Sequence, residues 1–240
     1  MTRTVSFLWQ YLSSTGVTRF EGPFPSNCCT LKWETSFLTH DQIQPGHRNR
    51  LLPALSHISS VELERILKDH ETWSKSSGQV GHPARFFNVQ LADANFDNRC
   101  LIGARFELCD LTGASFHGCQ INLARFHSSD LSHASFEEAS GLKSIFLSIV
   151  AKNISFARAK MDSAHYFFAD LTAADFSGAC LRQADLGAAE LVRARFSGAD
   201  LRGANLSDCG LDPDQLVESL TDNLTRLPTS FGGIGVPLRR

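Results

Sequence analysis

The sequence predicts an all-β solenoid of short coils with four faces, and three observations carry that expectation. From Ala84 to Leu211 a large residue returns every fifth position without loss of phase, giving 26 such centres at 86, 91, 96 and onward. Ten centres are Phe and eleven are Leu, Ile121, Met161 and Tyr166 are also large, and only Gly141 and Ala151 are small. Two residues before each centre, 22 of the 26 positions are Ala, Cys or Ser, with Val89, Arg99, Ile149 and Ile154 as the exceptions. Sorted in twenties, the centres separate by type: 96, 116, 136, 156, 176 and 196 are all Phe. Positions 86, 106, 126 and 146 are Phe as well, followed by Tyr166, Leu186 and Leu206, while the two columns between are rich in Leu.

The period has a physical reading. Alternate side chains of an extended segment point the same way, so a centre and the small residue two before it share one face. A five-residue unit must then turn, and four such units enclose an interior that only stacking completes. At the strand spacing of about 4.8 Å, six and a half coils make a rod of about 31 Å.

The units ARF (84–86), ANF (94–96), ADL (169–171), ADF (174–176), ADL (199–201) and ANL (204–206) resemble the pentapeptide-repeat family, whose consensus is A-(D/N)-L-x-x. The resemblance covers residues 84–211, about half the chain. It implies a right-handed quadrilateral β-helix of pentapeptide repeats, with short helical caps at both ends. It also raises a function known in the family, mimicry of duplex DNA by a strongly negative rod that binds or protects DNA gyrase.

Around the repeats, the chain divides in order. Residues 1–58 show no repeat or steady periodicity and carry Pro23, Pro25, Cys28, Cys29, Gly46 and Pro53; they read as an irregular extension, with disorder or an upstream start site as alternatives. Residues 59–83 read as an N-terminal capping helix and linker. Ser59 with Glu62 forms a capping box, and Leu63, Ile66, Leu67, His70 and Trp73 keep helical spacing. Gly78, Gly81 and Pro83 end it. An open solenoid end exposes apolar side chains and unpaired backbone, which this helix is placed to cover. Within 84–211 the pattern falters at Gly141 and Ala151, where either larger inward neighbours restore the volume or the coil bulges. Residues 212–240 read as a C-terminal capping helix, with Asp212, Pro213 and Gln215 at its start, and a flexible tail.

Composition excludes several functions. With 23 Lys and Arg against 25 Asp and Glu, the chain is nearly neutral. No apolar run reaches the ~18 residues of a membrane span, and no signal peptide is expected. Seven Cys include inward Cys109, Cys119 and Cys209, which read as packing residues. Cys100 and Cys180 share a column four coils apart, about 19 Å, too far to bridge. A reduced, cytoplasmic protein is expected. No phosphate loop, nucleophile elbow or paired-cysteine motif occurs, and the scattered His residues form no ligand set. The reading is therefore no enzyme, no cofactor and no metal site.

Outward columns carry the functional expectation. The residue before the centre on the first face reads Arg85, Arg105, Arg125, Ile145, His165, Asp185 and Asn205, and the same face exposes Leu147, Phe167 and Phe168. Arg and aromatic residues are enriched at binding hot spots. A non-enzymatic protein-interaction scaffold follows, with Arg85, Arg105, Arg125, Leu147, Phe167 and Phe168 as the candidate contact residues. The partner is a protein or a second copy of the chain, direct nucleic-acid binding is not expected, and solvated polar ladders are the plainer account of the same residues. Against gyrase mimicry, residues 84–211 hold 14 acidic and 12 basic side chains, a net charge of −2.

Overall fold

The computed structural model describes residues 54–231. Residues 84–211 wind into a right-handed, four-sided β-helix in which each coil takes 20 residues, so that residue i lies in parallel register with i+20. On the first face the register is carried by β2 (Arg85–Phe87), β4 (Arg105–Glu107), β5 (Arg125–His127) and β6 (Ile145–Leu147), in the order β2-β4-β5-β6. The other faces hold single bridging residues, such as Asn95↔Ser115↔Ser135 and Cys100↔Gln120↔Ser140.

The amino-acid pattern explains this geometry. The centres are buried throughout and so are the small residues except Ala94 and Arg99, and the two Phe columns form ring stacks at the coil spacing. The ring of Phe116 stacks on that of Phe136 with centroids 4.4 Å apart, and Phe106 on Phe126 at 4.9 Å, both pairs nearly parallel. Rings from opposite faces meet edge to face, as Phe116 and Phe126 do at 5.7 Å and 89°. Stacked and T-shaped pairs are the arrangements that the ring quadrupole favours. At each corner the second residue after the centre takes a left-handed conformation, as in Asp93, Asn98, Leu123 and Gly113. The corner is closed by a bond from the next small residue to the centre's carbonyl, for example Ala94 to Leu91 at 3.1 Å.

The faltering region keeps its register: Ser140 bridges Lys160, and Val150 bridges Asp170. Of the two expectations, compensation is the one observed, and there is no bulge. A Cβ on Gly141 would lie 2.6 Å from the Met161 sulfur, so Met161 of the following coil fills that space. Beside Ala151, the side chains of Ile149 and Ile154 turn inward and are 1% and 0% exposed.

Before the repeats, α1 (Ser60–Lys75) begins at Ser59, whose hydroxyl accepts the Glu62 amide; this is one half of the expected capping box, since the Glu62 carboxylate accepts from Arg65 instead. The structure departs from the expected boundary at 58. A short strand β1 (Ser56–His57) pairs parallel with β3 (Val89–Gln90), and the Asn88 side chain donates to the Ala54 carbonyl. Two residues are too few to show periodicity, so the sequence carried no sign of it. The reading of residues 1–53 as irregular lies outside the described residues.

At the other end, Pro213–Leu216 form only a 3-10 turn, not the helix expected to run through Leu220. Gln215 reaches back to the Asp212 amide at 2.8 Å and also donates to the carbonyls of Leu191 and Ala194. Leu220 and Arg226 then continue the coil against Asp200 and Asn205, and Phe231 is buried in the final 3-10 turn.

Candidate protein-contact surface

The first face carries two outward ridges, separated by two residues of extended chain or about 6.6 Å. One ridge is the residue before each centre and the other the residue after it. Pairing gives Arg85↔Arg105↔Arg125↔Ile145↔His165 along the first. Along the second it gives Phe87↔Glu107↔His127↔Leu147, with the Ser148 amide then bonded to the Phe167 carbonyl. The face thus passes from guanidinium to apolar chemistry between its third and fourth coils.

Each candidate residue can be placed on this frame. Arg85 and Arg125 are exposed and Arg105 is half-buried. None of the three forms an ion pair with another described residue, in contrast to Arg99, Arg158, Arg182, Arg195 and Arg202. Stacked like charges one coil apart repel, and the carboxylates closest along the chain, Glu107, Asp110 and Asp130, form no ion pair with them. Leu147 and Phe167 are half-buried, and the Phe167 ring stacks on His165 at 5.7 Å and 13°. Phe168 is 55% exposed at φ 53°, the left-handed corner conformation shared by the second residue after each centre from 86 to 206. The Arg ladder therefore occupies the first three coils of this face and Phe168 the corner of its fifth, with Phe87 (57% exposed) beside the ladder.

The face owes its extended form to a local feature that the sequence shows only as irregularity. The corner bond to the centre's carbonyl is present at Ala169 and Ala189 but not at Val89, Cys109, Ser129 or Ile149. Where Ala stands at that position the corner is tight. Val89, Cys109, Ser129 and Ile149 each follow a three-residue strand, whereas Cys209 at the same position follows a single bridging residue. In that column the Ser129 hydroxyl accepts the Cys109 amide at 3.0 Å.

Other outward groups serve the scaffold. Arg99, irregular by the repeat pattern, does not enter the core; it pairs with Glu64 at 2.6 Å and Glu71 at 3.3 Å and ties α1 to the first coil. Asp200 lies between Arg202 and Arg182, whose hydrogen bonds, that of Arg202 first, hold its carboxyl well below the usual range. Burial pushes the Cys119 thiol up to about 12 and that of Cys209 to about 11, which leaves both as packing groups without thiolate reactivity at neutral pH. Sequence reasoning missed a second apolar corner, Leu123 and Leu142, 56% and 48% exposed. Leu123 stands at the position that many units give to Gly, Asn or Asp, which was the available signal.

A parallel, four-sided solenoid with five-residue units defines a class, and comparison with known proteins agrees. The family model described as Pentapeptide repeats matches eight copies over residues 90–127 and 169–208. The chain belongs to the pentapeptide-repeat family. The interval that the match skips contains Gly141 and Ala151, and the coils run through it in unbroken register. Similar solved structures include a trypsin-treated form of QnrB1, a plasmid-mediated fluoroquinolone resistance protein: 24% identity, 58% of this chain and 80% of that one, TM-score 0.38. Another is HetL, a pentapeptide repeat protein involved in heterocyst differentiation regulation in the cyanobacterium Nostoc: 17% identity, 72% and 92% coverage, TM-score 0.31. A third is a pentapeptide repeat protein of the Arabidopsis thaliana thylakoid lumen: 28% identity, 42% and 74% coverage, TM-score 0.28. No curated protein sequence matches the chain. Among the described residues, no helix is long and apolar enough to cross a membrane.

Proposed function

We propose that this protein is a non-enzymatic interaction scaffold and that its partner, an acidic protein surface with an apolar anchor point, lies along the first face. The observation that carries the reading is the ladder Arg85, Arg105 and Arg125, held in strand register with no carboxylate partner among the described residues. Such a ladder costs stability through like-charge repulsion and is useful when an anionic surface meets it. Phe168, exposed and in a left-handed conformation, supplies the aromatic anchor, with Leu147 and Phe167 beside it. A rigid solenoid presents both without reorganising.

The charge balance opposes a DNA-like rod: the repeats have a net charge of −2, and the Arg ladder interrupts any phosphate-like surface on the first face. Chemical cross-linking and capture with the full chain tests the proposal. The triple variant Arg85→Glu, Arg105→Glu, Arg125→Glu and the single variant Phe168→Ser should each lose the cross-linked partner while melting as the wild type does. A partner retained by both variants would remove the assignment. Inhibition of gyrase supercoiling by the wild type would favour the DNA-mimic reading instead.

A further inference from the structure

The joint between α1 and the rod holds a histidine in one protonation state. His70 is 0% exposed, and its Nδ1 accepts the Ala84 amide at 3.0 Å, where the first coil begins. An accepting Nδ1 carries no proton, so the neutral ring has its hydrogen on Nε2. That Nε2 is buried without a partner, and the ring stacks on Trp73 at 5.5 Å beside Leu67, which is 1% exposed. A second proton must go to Nδ1, facing the Ala84 N–H, and must place a charge where no solvent reaches.

We propose that His70 is a proton-operated latch, and that its protonation releases α1 from the end of the rod. The charged groups around the joint do not prevent this. On α1, Glu71 favours the charged ring, but it is already engaged by Arg99 of the first coil, which also takes Glu64. Asp69 of α1 pairs with His82 of the linker on the exposed side. Burial is the larger influence on His70 and lowers its pKa from the ordinary value of 6.5. The sign follows: docking is fully stabilised above about pH 6.5 and weakens as pH falls, by up to tenfold per unit, until the docked pKa is passed. Release uncovers the first coil, where Phe86 and Leu91 are 2% and 3% exposed in the docked state, so the low-pH form gains an apolar end.

Histidine nitrogen NMR and hydrogen exchange on the full chain test this together. At pH 7.5 the Nδ1 resonance of His70 should report an unprotonated acceptor. Between pH 7 and 5, after correction for intrinsic rates, α1 and the Ala84 amide should lose about tenfold or more of their protection while residues 171–206, which contain no histidine, keep theirs. His70→Asn retains an acceptor near Nδ1 and cannot titrate, so its lid protection should not change with pH. Should that variant fail to fold, the wild-type NMR and exchange profiles decide alone. Protection of α1 that is constant to pH 5, a protonated Nδ1 at pH 7.5, or an equal pH-dependent loss in His70→Asn would overturn the latch.

Discussion

Truncating Phe136 to Ala probes the stacked interior where it is most dependent on rings. The side chain is 0% exposed and touches four others: Phe116 at 4.4 Å and Phe156 at 5.1 Å stack on it, while Phe126 at 5.4 Å and Phe146 at 5.7 Å meet it edge to face. Phe-to-Ala changes in cores cost about 3–5 kcal/mol. Each aromatic pair contributes about 0.5–1.5 kcal/mol beyond its burial, which places this site toward the upper end. The rings above and below are held by the coil spacing and cannot close the gap. With a urea slope of about 1–3 kcal/mol/M, a loss near 4 kcal/mol lowers the midpoint by more than about 1 M. Phe168→Ala is the matched control, since the same ring is 55% exposed and its loss should stay within about 0.5 kcal/mol. Equal midpoint shifts for the two variants, or a shift under about 0.3 M for Phe136→Ala, would refute the inward and outward assignment.

Further outcomes follow from the same packing. Tyr166 places a buried hydroxyl without a partner in the ring column, so Tyr166→Phe should raise stability by about 1–3 kcal/mol in urea unfolding; a loss would mean that the hydroxyl is bonded. Met161→Ala should cost about 2–5 kcal/mol, because the space beside Gly141 then has no occupant, and adding Gly141→Val should recover part of it. Without that recovery, Met161 is not the filling group. Limited proteolysis should leave a core fragment that begins before Ser56, since β1 pairs with β3; a fragment starting at Ser59 or later would show that β1 contributes nothing.

The repeat made the fold legible because a five-residue period with two apolar sizes admits few other solutions. Local departures were harder to interpret. Arg99 broke the pattern because it serves α1 rather than the core, and only the distance to Glu64 and Glu71 reveals that. Val89 and Ile149 stand at small positions, and their effect, an opened corner and a longer strand, depends on backbone bonds that residue type alone does not specify. Gly141 is explained by Met161, twenty residues later, a contact that exists only once the coils are stacked. The contact face was partly visible: the Arg column followed from counting, whereas the left-handed setting of Phe168 and the stacking of Phe167 on His165 required the corners in three dimensions.

Site-specific photo-cross-linking tests the contact face most directly. A photoreactive residue replacing Phe168 should give one discrete protein adduct, whereas the same group replacing Glu138, on the turn following the opposite face, should give none. Adduct formation from position 138 with none from 168 would contradict the assignment of the first face as the binding surface.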